Sequence, residues 1–132
     1  MLEYFFERSH RVLMARINGV FGSPEAAELD RAVQNLVRGE QGLRAVYDFS
    51  DMEALAIPEQ RIDQRAQRPS LIEGLRVVVA SRTLGGDKAR QFSTLQSNAG
   101  ARAPIVVSRL EQAYVLLGLD QHAKFERLEP GL

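Results

Sequence analysis

Three compact apolar runs, Leu43 to Phe49, Leu75 to Ala80 and Pro104 to Val107, alternate with stretches of helical spacing and leave this chain few folds to adopt. Short runs of this kind read as strands buried on both faces, the way parallel strands lie beneath crossover helices. The β-branched Val77-Val78-Val79 marks the most buried of them. Around these runs, Leu29, Ala32, Val33, Leu36 and Val37 make one apolar helix face, Ala89, Phe92, Leu95 and Ala99 a second, and Leu110, Ala113, Tyr114 and Leu117 a third. A sparser helix opens at Pro58-Glu59 and reaches Gln67, with Ile62 and Ala66 as its apolar positions. Ser23-Pro24-Glu25 is a helix start and Gly39 with Gly42 its stop, Gly100 ends the helix of Phe92, and Ser108 with Glu111 has the spacing of a capping box.

Ahead of these units, Leu2 to Phe6 and Arg11 to Ile17 fit an antiparallel pair, with Asn18-Gly19 as the turn that follows. Tyr4, Phe5 and Phe6 read as aromatics of an edge strand that cover the core, and Phe125 to Leu128 as a terminal edge strand. The whole predicts one α/β domain over residues 1–132: a mixed sheet of about five or six strands flanked by four helices, with Val46, Val78 and Val106 in central strands. A loop is expected after Phe49. Ligands of such sheets bind beyond the carboxyl ends of the strands, here Asp48 to Met52, Ser81 to Lys88, and Ser108 with Arg109.

Charge removes several functions. Seventeen basic and seventeen acidic side chains cancel, so the long-range field of a dedicated nucleic-acid or anionic-membrane binder is missing. With no cysteine there is no disulfide, thiolate metal site or cysteine nucleophile, as suits a reducing compartment. The apolar stretch from Ala113 to Leu119 is too short to cross a bilayer, and Glu3 and Glu7 beside the N-terminal aromatics do not make a secretion signal. A cytoplasmic protein without a transmembrane segment is expected.

Leu43-Arg44-Ala45-Val46-Tyr47-Asp48-Phe49-Ser50-Asp51-Met52, in this order of elements, resembles the STAS superfamily, where a strand ending in Asp-Leu-Ser leads into the functional loop. Ile105-Val106-Val107-Ser108-Arg109-Leu110-Glu111-Gln112-Ala113-Tyr114 with Leu117 is similar to the ending of its SpoIIAA-like, or STAS/SEC14-like, branch. The resemblance runs from about Arg11 to Leu119 and implies a fold shared with anti-sigma-factor antagonists, which switch partners through a phosphorylated serine, and more loosely with lipid-carrying Sec14-type domains. The position of the family's switch falls near Ala56-Ile57-Pro58-Glu59, which has no hydroxyl, and Ser50 lies in another part of the loop.

Candidate ligand-binding residues are Asp48, Ser50, Arg82, Lys88, Ser108 and Arg109. Gly85-Gly86 lets backbone N–H groups converge at a helix start, where Arg82 or Lys88 would neutralise a phosphate or carboxylate; an ordinary loop stands as the alternative. Asp48, Asp51 and Glu53 fit a solvated turn better than a metal site, and no metal or cofactor is expected. His10 and His122 read as surface histidines, and no serine lies in a nucleophile elbow. Pro58, Ile62 and Ala66 mark a lid, and Arg61, Arg65 and Arg68 are spaced to share a helix face toward an anionic head group. The expectation is a non-enzymatic regulatory or protein-interaction module without the switch serine, with a homodimer open to it. The alternative is a carrier or sensor of a small apolar or amphipathic, lipid-like ligand, and an enzyme using Asp48 and the loop of Lys88 ranks behind both.

Overall fold

The computed structural model describes residues 1–38, 40–68, 70–81, 86–98 and 102–129. Its elements are β1 (Leu2–Glu7), β2 (Val12–Gly22), α1 (Ser23–Val37), β3 (Arg44–Ala56), α2 (Glu59–Ala66), β4 (Arg76–Val79), α3 (Gly86–Asn98), β5 (Ile105–Val107), α4 (Leu110–Leu117) and β6 (Glu126–Leu128). The fold is α/β, a six-stranded mixed sheet in the order β5-β4-β3-β2-β1-β6 with four helices. Strands β2 to β5 run parallel, and β1 is antiparallel to both β2 and β6. From β2 to β5 the strand order never reverses, so crossovers of one hand lay α1, α2 and α3 on the same face.

Side chains divide by strand alternation. Leu13, Ala15 and Ile17 of β2 join Ala45 and Tyr47 of β3 on the three-helix face, while Val12, Met14, Val46, Val77 and Val79 meet Ala113 and Leu117 of α4 on the other. Alternation on two faces that are both covered explains why the β3 and β4 segments read as continuous apolar runs.

Several expectations change. Asn18-Gly19 is not a turn: β2 continues to Gly22 and β3 to Ala56, so the loop expected after Phe49 is strand. The two extensions pair as a parallel arm, Asn18 with Asp51 and Gly22 with Ala56, and two register shifts absorb extra residues of β3. Gly19 has a φ of 78°, so its left-handed geometry serves this irregular stretch and not a chain reversal. Strand β1 lies inside the sheet, with β6 at the edge, and Val106 belongs to the opposite edge strand and not to a central one. Gly22, not Ser23, precedes α1, and its N–H donates to Glu25 Oε1 at 2.8 Å. At α4 the residue that closes the box is Gln112 and not Glu111: its Oε1 accepts from the N–H groups of Ser108 (3.1 Å) and Arg109 (3.0 Å). The expected helix stops at Gly39 and Gly100, and Ala99, lie outside the described residues.

The β1–β2 connection carries a buried acid. Glu7 accepts from the N–H groups of Ser9 (3.2 Å) and His10 (2.7 Å), and its Oε2 lies 3.0 Å from His10 Nδ1. Burial pushes the Glu7 carboxyl upward, yet the bonds from His10 and Ser9 outweigh it and hold the pKa below the ordinary value. A folded pKa below the unfolded one contributes stability that is present above the unfolded value and lost as pH falls through the folded value. Urea unfolding of wild type and Glu7→Gln, followed from neutral pH into the carboxylate range, should show a steeper loss for wild type; parallel losses would remove Glu7 from the account.

Candidate functional site

Three helices bridge one sheet face, and the middle one is short. Helix α2 has eight residues and buries Ile62 and Ala66 alone, while Ala80 just after β4 and Ala89 of α3 are small, so the layer does not close. The result is a half-enclosed cavity of about 510 Å³, within the range of roughly 300–1,000 Å³ usual for small-molecule sites. Tyr47, Phe49 and Val78 form its floor. The β2–β3 arm adds Phe21, Met52 and Leu55, α1 adds Leu29 and Val33, and α3 adds Phe92. Phe21 and Phe49 meet edge to face, 5.2 Å between centroids at 87°, which fixes the arm against the floor.

Polar groups enter this apolar space at few points. Asp30 of α1 takes two bonds from Arg65 of α2, at 2.5 and 2.9 Å. Arg76, at the start of β4, is 7% exposed and donates through Nη2 to Gln96 Oε1 at 2.9 Å and to the Arg102 carbonyl. Its Nε is buried without a partner. Burial presses the Arg76 pKa down, Tyr47 works against that and Arg102 adds to it. Tyr47 lines the same cavity; burial pushes its phenol up to about 12, with Arg76 and Arg65 opposing the rise and Asp30 adding to it. It is therefore a neutral hydroxyl at physiological pH.

The residues singled out from sequence do not converge on one place. Ile62 lines the cavity, Ala66 is buried beside it without lining it, and Pro58 is exposed at the start of α2. Lys88 lines the cavity and reaches Glu59 of α2 at 3.2 Å. Arg65 and Arg68 line it as well and Arg61 does not; α2 ends at Ala66, so Arg68 is beyond the helix and the three arginines share no helical face. Arg82 lies outside the described residues, as does Gly85.

Asp48 and Ser50 belong to the opposite face. Asp48 is mid-strand and 2% exposed; its Oδ1 accepts from Ser50 N (3.0 Å) and Ser50 Oγ (2.5 Å), and its Oδ2 is 3.5 Å from Arg16 Nε. Asp51 pairs with Arg16 Nη2 at 3.2 Å, and Glu53 is exposed. Ser108 and Arg109 are engaged at the start of α4, where Ser108 Oγ also donates to Gln112 Oε1 at 3.2 Å. Among the described residues no group of three or more His, Cys, Asp or Glu could hold a metal ion. Sequence reading did not single out Tyr47, Asp30 or Arg76. The one signal available was an arginine within the otherwise apolar run from Leu75 to Ala80. No protein-family model matches this chain, and no curated protein matches it at a significant level.

Proposed function

We propose that this protein carries or senses a small amphipathic ligand, held in the cavity between the sheet and α1, α2 and α3, on a scaffold of the SpoIIAA-like type. The observation that carries this reading is the cavity itself: about 510 Å³ with mostly apolar walls and a few convergent polar groups. Helix α2 is the wall that opens. It is held by Ile62, Ala66 and two ion pairs, Arg65 with Asp30 and Lys88 with Glu59, whose partners are in part exposed, and such pairs yield readily to water.

Native mass spectrometry of freshly purified protein tests the reading. The expected result is a mass above that of the chain, lost on denaturation, and Val78→Phe, which fills the cavity floor, should abolish it while the melting temperature holds or rises. An empty wild type that takes up neither fatty acids, fatty alcohols nor phospholipids would sink the carrier reading. The regulatory protein-interaction reading has its own support in Val115, 78% exposed on α4, and its neighbour Leu116. A stable homodimer with nothing bound, seen in the same spectra, would favour it.

A further inference from the structure

Resting on the ligand-carrier reading, we infer that Arg76 is the counter-ion for an acid head group, so that the ligand is an amphipathic carboxylate whose head lies at Arg76 and whose tail lies toward Phe49, Met52 and Leu55. The cavity cations differ in what already neutralises them. Arg65 is matched by Asp30 and Lys88 by Glu59. Arg68 forms no ion pair among the described residues, but it is exposed, and water satisfies it. Arg76 differs from all three: it is buried, and its acceptors among the described residues are neutral, the Gln96 amide and the Arg102 carbonyl. Its Nε is buried without a partner, and no carboxylate among the described residues pairs with it. A buried guanidinium without a counter-charge is costly, and that cost falls when a carboxylate arrives.

The neighbours fit the same chemistry. Tyr47, a neutral phenol, lines the same cavity and can be a second donor to a carboxylate oxygen. A charge-assisted bond from the unpartnered Nε–H suits a carboxylate oxygen, whereas a neutral alcohol would leave the charge unmatched. Gln96 is 2% exposed and ties the guanidinium to α3, with its own Nε2 directed to the Arg68 carbonyl at 3.4 Å, so Arg76 is held in place before any ligand binds.

Calorimetric titration of the purified, delipidated protein with decanoate, 1-decanol and decylammonium, all below their aggregation concentrations, tests the assignment. Decanoate should bind about 10- to 100-fold more tightly than decanol, the range of a charge-assisted hydrogen bond, and decylammonium least of the three. Arg76→Gln should erase the preference for decanoate while keeping decanol binding, whereas Arg68→Gln should leave the preference intact. Equal binding of decanoate and decanol by the wild type overturns the head-group assignment and leaves the carrier reading standing; failure of all three overturns both. If Arg76→Gln does not fold, the wild-type ranking and Arg68→Gln still decide, because loss of the preference in Arg68→Gln would move the head group to the rim and defeat the assignment.

Discussion

Leu117→Ala is expected to cost about 3–4 kcal/mol of unfolding free energy, the largest effect of any single truncation in α4. Among the described residues α4 is the one helix on its sheet face, and it buries Ala113 and Leu117. Leu117 is 1% exposed and sits over Val12, Met14, Val46, Val77 and Val79, five side chains of three adjacent strands. Those strands are hydrogen-bonded into the sheet and cannot move in to fill a void, so the truncated site keeps a cavity and its cost. The Leu117 carbonyl also accepts from Arg44 Nη1 at 3.0 Å, which resists any sinking of the helix. Ile62→Ala on α2 is the control. Ile62 already borders open space, so removing its methyl groups forfeits fewer contacts, and about 2 kcal/mol is expected. Urea unfolding of both variants gives the comparison, and equal losses would mean that α4 is no more constrained than α2.

Gly74→Ala should lower the melting temperature by about 10 °C, corresponding to roughly 2–3 kcal/mol. A Cβ at this position would lie 2.5 Å from the Leu43 carbonyl oxygen and 2.6 Å from Arg44 Cγ. The arginine methylene can turn aside. The carbonyl cannot, because it accepts the Gly74 N–H at 3.0 Å, next to the Ala45 N–H bond to the Leu75 carbonyl that begins the β3–β4 ladder. Substituting alanine for glycine at an accommodating position stabilises by about 0.4–1 kcal/mol through the unfolded chain, so a net loss requires the clash to exceed that gain. An unchanged or raised melting temperature would show that the main chain yields at no cost.

Much of the fold was legible along the chain. Every helix and strand expected from periodicity is found, and the β-branched run at Val77 to Val79 is buried throughout. The errors cluster where a local signal was put to a nonlocal use. Asn18-Gly19 carries a turn's chemistry, but β3 offers unpaired backbone alongside it, so pairing extends the strand through Gly22. Glu111 has the capping-box spacing from Ser108, but the start of the helix at Leu110 places its neighbour Gln112 where both N–H groups point. Asp48 and Lys88 looked alike as polar residues after apolar runs, yet they stand on opposite faces of the sheet because β3 continues past Asp48.

By itself the sequence determined the alternation of strands and helices, the parallel crossovers and the small apolar face of α2, because each of these follows from which residues within a few positions are apolar. Only the tertiary structure decided that Ala80, Ala89 and a two-turn α2 together leave an open volume, and that the arginine at the start of β4 is buried there with no acid paired to it among the described residues. A cavity is what remains after three distant segments have packed on one sheet face, and a charge is unmatched only in relation to neighbours that the chain brings from 20 and 26 residues away.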